Sequence, residues 1–219
     1  MNQKIILKSM LVAAAGALGL ATSARAVNDS TLGSAKPAVT AADTLGLLGQ
    51  TYSGLSYSYD HLGNSPVNAD RYGFEYNQPL NAGFDAVFNY DWTQAGLLAG
   101  DRAHDQDLTA ALRVFSTKQS WGRPYLDAGF GFDWQKIAGV NEHSSQWIGG
   151  AGIEFQATPS LSVTPYVRYT RADNFSDKNL FNYGVKANYW LTSRFAVLAG
   201  IDRNDSQDMV YKVGFNTRF

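Results

Sequence analysis

The feature that most restricts this chain is a two-residue alternation, sharpest over residues 209–219. Met209, Tyr211, Val213, Phe215, Thr217 and Phe219 fall on one face, and Val210, Lys212, Gly214, Asn216 and Arg218 on the other. That is the period of a β-strand with one lipophilic and one polar side. Aromatics on one face and cations on the other suit a sheet whose outside is hydrocarbon and whose inside is wet. In a bilayer every backbone N–H and C=O must be paired within the protein, so strands can cross only as a closed barrel.

The final Phe219, with Tyr211, Val213 and Phe215 in phase before it, resembles the C-terminal signature of bacterial outer-membrane β-barrels, the porin-like outer-membrane protein superfamily. The resemblance implies that these four residues form an assembly signal read by the barrel assembly machinery. It also implies a Gram-negative outer membrane as the location, with its lipid and lipopolysaccharide as surroundings. It bears on architecture and names no activity.

An exported chain is expected from the first 26 residues. Lys4 and Lys8 supply a positive start, residues 10–20 an apolar run, and Ala24-Arg25-Ala26 small residues for cleavage. The apolar run falls well short of the roughly 20 residues a helical span needs. Residues 27–48 lack alternation, are rich in Ala, Ser, Thr and Asp, and read as a flexible periplasmic segment. The other reading of that segment is a lumen plug or short docking helix. A net charge of −1 offers no basic stripe for nucleic acid, and the absence of cysteine excludes disulfides and thiolate metal sites.

From residue 49 to 219 the alternation repeats. Strands of about ten residues are predicted to begin near Gln50, Ala69, Phe84, Leu108, Tyr125, Trp147, Leu161, Phe181, Phe195 and Met209. Connections alternate in length: short turns at 77–81, 116–122, 158–160 and 191–194, and longer loops at 61–68, 93–106, 135–145, 172–178 and 203–208. This predicts a closed antiparallel all-β barrel of about ten strands, with both termini and the short turns in the periplasm. A count of eight needs two of these segments to be hairpins beyond the bilayer. A soluble barrel with reversed faces would have to pack these aromatics into a narrow interior.

The inward face is expected to carry Glu75, Asp85, Asp91, Asp127, Asp133, Glu154 and Asp202 against Arg71, Arg113, Arg168, Lys186, Lys212 and Arg218. So near a balance predicts a lumen filled by paired charges, with Gly129, Gly131, Gly150, Gly152, Gly184 and Gly214 making room for long side chains. Outward Tyr59, Tyr90, Trp92, Trp134, Trp147 and Tyr169 are expected to form an aromatic girdle at the membrane–water boundary.

Two outer-membrane enzyme families bear comparison with this pattern. Omptin proteases imply Asp pairs and an Asp–His pair at the outer rim. Asp101, His104, Asp105 and Asp107 share one loop, but Asp173 and Asp177 lie in another without a histidine. Lipid A deacylases imply a His-x-Ser pair, which His143 and Ser145 supply on one face, while Glu142 and Glu154 fall on the opposite face by parity. The three histidines, His61, His104 and His143, lie in different predicted loops without ligand spacing, so no metal and no cofactor is expected. The expectation is therefore a non-enzymatic outer-membrane barrel with a structural or surface-interaction role and a mostly occluded, charge-paired lumen. A narrow passive porin is the alternative, and the sequence does not indicate an oligomeric state.

Overall fold

The computed structural model describes residues 46–61, 68–96, 102–117, 122–137, 139–173 and 179–219. The expected leader and most of the segment that follows it lie outside these residues. The described chain forms ten strands: β1 (Tyr52–His61), β2 (Asn68–Asn81), β3 (Phe84–Gly96), β4 (Arg102–Phe115), β5 (Arg123–Ile137), β6 (Val140–Thr158), β7 (Leu161–Ala172), β8 (Asn179–Trp190), β9 (Phe195–Asn204) and β10 (Met209–Arg218). Each pairs antiparallel with its sequence neighbours, and β1 pairs with β10 from Tyr52↔Arg218 to His61↔Met209. The sheet thus closes on itself and leaves no unpaired edge, as a spanning sheet must.

The strands present two different surfaces. Even-numbered residues point inward on β1 and β6 to β10, and odd-numbered residues on β2 to β5. Outside, Leu126 is 65% exposed, and Leu55, Phe88, Leu112, Tyr189 and Val213 are also bare, whereas inside Asp85 is fully buried. A continuous exposed apolar surface of this kind calls for a lipid solvent. The ten strands are those expected from the alternation.

Three boundaries differ from expectation. The region read as loop 93–106 is mostly strand, since β3 runs to Gly96 and β4 starts at Arg102, paired through Gly96↔Arg102. Likewise most of 135–145 is a hairpin, with β5 and β6 paired up to Ile137↔Val140. In both places polar side chains hid strands that stand in water beyond the bilayer, where no lipophilic face is required. His104 and His143 accordingly lie on strands rather than loops, and His61 ends β1. The turn expected at 77–81 falls later: Asn77 and Gln78 still pair with Val87 and Ala86, a bulge lies between Pro79 and Asn81, and the chain reverses at Ala82-Gly83. Gly83 adopts φ 93°, a conformation open to glycine and strained for other residues.

The wall is uneven. Strands β1, β9 and β10 have 10 residues each, whereas β5 has 15 and β6 has 19. About 9–11 tilted residues cross a bilayer, so the β3–β4 and β5–β6 hairpins rise above the rest on the long-loop end.

Candidate functional site in the barrel lumen

The lumen divides into three levels. At the short-turn end, residues 46–50 fold into the mouth of the barrel. Their backbone is gripped by side chains from five strands. Leu47 N–H donates to Glu154 Oε2 at 2.6 Å and Gly49 N–H to Asp85 Oδ2 at 2.9 Å. Arg123 Nη1 donates to Leu48 O at 3.0 Å, Asn77 Nδ2 to Gln50 O at 2.8 Å, and Arg218 Nη2 to Gly46 O. Gln50 N–H closes the turn onto Leu47 O at 3.2 Å. Leu48 is only 3% exposed. A methyl group at Gly46 would overlap the Arg123–Glu154 ion pair, and Gly49 adopts φ 73° against the Phe115 ring. Residues 46–48, the end of the segment read as flexible or else as a lumen plug or docking helix, therefore form a strap across the lumen together with residues 49 and 50. No periodicity betrays it, because its bonds are made by backbone groups.

At mid-height, Tyr52 Oη donates to Glu75, and Arg113 pairs with Asp127 at 3.4 Å while lying over the Tyr125 ring at 4.8 Å. Tyr166 Oη donates to Asp202, and the Lys186 ammonium lies 4.9 Å from the centre of the Tyr166 ring. Glycines admit these side chains: Tyr125 lies across Gly152, Asp127 across Gly150, and Asp202 across Gly184. Between the described residues here lies a cavity of about 70 Å³, bordered by Glu75, Asp91, Arg168, Lys186 and Lys212 among others. That holds no more than a few water molecules.

At the long-loop end acids outnumber bases. Asp91, Asp107 and Asp133 stand directly opposite one another on β3, β4 and β5. Gln146 Nε2 donates to Asp107, and Asp60 pairs with Arg71.

The lumen charges named from the sequence, Glu75, Asp85, Arg113, Asp127, Glu154, Arg168, Lys186 and Lys212, therefore all face inward, but the expected pairing is incomplete. Among the described residues the ion pairs are Arg71–Asp60, Arg113–Asp127 and Arg123–Glu154. None uses Arg168, Lys186 or Lys212. The reason is placement. The acids Asp91, Asp107 and Asp133 are on β3 to β5, and the three cations on β7, β8 and β10. In a ring of ten strands β3 faces β8 and β5 faces β10. Strand spacing and tilt give such a ring a backbone diameter of roughly 20 Å, too wide for a lysine and an aspartate on opposite walls to meet.

Sequence reasoning also missed contributors. Arg123 lies in phase with Tyr125 and Asp127, Asp107 with Thr109, and Asp60 with Ser58, so extending each strand by one inward position would have found them. Tyr52 begins β1 and reaches Glu75.

The girdle residues are on the outside. Tyr57, Tyr72 and Trp92 form a chain of rings with centroids 5.5 Å apart at each step, Trp92 stacks on His104, and Trp147 meets Phe130 edge-on at 5.2 Å. Tyr59, Trp134 and Tyr169 are exposed there too, and Tyr90 Oη donates to Gln106 at 3.1 Å. On the terminal strand Tyr211, Val213 and Phe215 face outward, and Phe219 N–H donates to Thr51 O at 3.1 Å.

Neither enzyme constellation assembles from the described residues. His104 is outside against Trp92 while Asp105 and Asp107 point inward, and Asp101 and Asp177 lie outside the described residues. Ser145 Oγ donates to Asp173 at 2.6 Å rather than to His143. Among the described residues no group of three metal-binding side chains converges.

Neither a protein-family model nor a curated protein sequence matches the chain. Several solved structures are similar in shape. The NanC porin is 9% identical, with a TM-score of 0.49 over 76% of this chain and 100% of its own. The β domain of the Bordetella autotransporter BrkA is 10% identical, with a TM-score of 0.46 over 78% of this chain and 99% of its own. The translocator domain of the autotransporter NalP from Neisseria meningitidis is 11% identical, with a TM-score of 0.43 over 82% of this chain and 92% of its own. At such identities sequence says nothing of shared activity. It is the closed ten-strand antiparallel sheet, apolar outside and polar inside, that gives this chain the architecture of the porin-like outer-membrane β-barrels.

Proposed function

We propose that the protein is a small outer-membrane barrel with a structural or surface-interaction role, whose lumen is closed. In this reading the chain is exported through a leader at residues 1–26. The short turns and the strap lie in the periplasm, and the tall β3–β4 and β5–β6 hairpins project outside, where lipopolysaccharide and external partners are met. Tyr59, Tyr90, Trp92, Trp134, Trp147 and Tyr169 mark the outer boundary of the bilayer, and Tyr211, Val213, Phe215 and Phe219 serve the barrel assembly machinery.

The observation that carries the closed lumen is the strap. Five side chains that could line a water path instead hold residues 46–50 across it, and mid-lumen space falls to about 70 Å³. A solute path needs continuous water, which such a lumen does not offer. The test is single-channel recording of the purified, folded full-length protein in a planar bilayer. Silence is expected, and steady discrete openings would make the protein a narrow porin instead.

A further inference from the structure

We propose that the middle of the lumen is a binding site for one small carboxylate anion, held by Arg168, Lys186 and Lys212. The inference rests on the closed-lumen reading, since it needs these cations to be shielded from bulk water.

Lys186 and Lys212 are brought together by the strand between them. Both pair in register with Gly200 of β9, Lys186 from β8 and Lys212 from β10. With no side chain at Gly200, the stems of both lysines lean over it: an added Cβ there would lie 3.6 Å from Lys186 Cγ and 3.6 Å from Lys212 Cβ. Arg168, on β7, borders the same cavity. Two like charges side by side repel, and a third at the same cavity adds to the cost in an enclosed, poorly screened interior. Among the described residues no ion pair relieves any of the three. The Tyr166 ring beneath Lys186 compensates only weakly.

The charge at the cavity sets the class of ligand. Glu75 and Asp91 border its other side, and Asp202 lies on β9 between the two lysines, where it accepts from Tyr166 Oη. Among the described residues no carboxylate forms an ion pair with the three cations, so a small anion that enters meets all three. Arg168 offers the planar fork that matches a carboxylate, and the lysines offer point charges beside it. Asn216 Nδ2 donates to Asn188 Oδ1 at 2.6 Å on the same cavity wall, which fixes the polar rim. The limited volume excludes an extended chain and favours a carboxylate the size of acetate.

The test uses full-length protein folded into detergent micelles in the presence of radiolabelled acetate, at fixed ionic strength set by sodium chloride, then equilibrium-dialysed. Folding with the anion present removes any question of access through the closed lumen. Saturable retention of one acetate per chain is expected, weakened at least tenfold in the Lys186→Gln/Lys212→Gln double variant and in Arg168→Gln. Heat-modifiable gel migration reports whether each variant is folded. Retention that never saturates, or that is unchanged in folded variants, would overturn the proposal. Should the variants fail to fold, the wild type still decides: acetate should raise its unfolding temperature saturably beyond equal ionic strength of chloride, and equal shifts would overturn the site. Conductance of the same preparation separates the two readings, since openings with retained acetate sink the closure alone, and silence without retention sinks the site alone.

Discussion

Two levels of the lumen's charge system, the strap socket and the mid-lumen cavity, are built from the same residue types and reach opposite states. In the socket, Arg123, Glu154, Asp85 and Asn77 meet either each other or the backbone of residues 46–50. In the cavity, Arg168, Lys186 and Lys212 face carboxylates across the ring and pair with none. The difference comes from strand adjacency. Arg123 and Glu154 sit opposite one another on neighbouring strands, as Arg113 and Asp127 do. The three cations belong to β7, β8 and β10, whose inward neighbours at the same level are Gly150, Gly200, Thr164, Ser58 and Asn182. A salt bridge in a barrel is thus a matter of register between adjacent strands, and overall charge balance does not create one.

The socket should therefore be the costlier place to remove a charge. Glu154→Gln leaves Arg123 without its counter-charge and takes the acceptor from Leu47 N–H. Breaking a buried pair costs about 3–5 kcal/mol, and the lower end applies because Arg123 retains some contact with water. The expected outcome is a destabilisation of about 3 kcal/mol in denaturant unfolding of the micelle-embedded barrel, together with the appearance of channel openings as the strap loosens. A variant as stable and as silent as the wild type would show that the socket does not depend on this pair.

In the cavity the sign should reverse. Lys186→Met removes one unpaired cation and keeps the stem over Gly200. Replacing an uncompensated buried charge by an apolar side chain of similar volume is neutral or stabilising by about 1 kcal/mol or more. Unfolding in chloride alone should show that gain. Carboxylate in the buffer should shrink it, because the wild type then recovers its counter-charge. Destabilisation in both buffers would mean that Lys186 is paired in solution and that the contrast between the regions is false.

How far these regions could be read from sequence differs for the same reason. Alternation over residues 209–219 and its repeats placed every inward and outward face, because lipid on one side and polar filling on the other impose a strict period. It gave Glu75, Asp85 and Lys186 their inward position without saying which would find partners, since pairing depends on register and register on where hairpins turn. The stretches 93–106 and 135–145 hid the tops of β3 to β6 for want of a sustained lipophilic face. The strap left no periodicity to read: Gly46, Leu47 and Gly49 use backbone groups and close approach, and Gly49's conformation carries a residue preference.

That preference supplies the mildest test of the contrast. Gly49 holds φ 73° with its N–H on Asp85 and its Cα facing Phe115, where an added Cβ would lie 3.0 Å from the ring. Gly49→Ala asks an L-residue to adopt the left-handed conformation, at a cost of about 1–2 kcal/mol. All strands and all lumen charges are left in place. The strap alone should weaken, so proteolysis near residues 46–50 should accelerate in folded protein while the unfolding midpoint of the barrel moves little. Brief openings in planar bilayers should appear at a lower frequency than in Glu154→Gln, because Asp85 and Glu154 still offer their acceptors and rebind the strap when it detaches. If cleavage and conductance both match the wild type, the strap's hold does not depend on the turn at Gly49. The closure would then lie with Arg123, Arg218 and Asn77, whose bonds reach the carbonyls of residues 46, 48 and 50 without passing through that glycine.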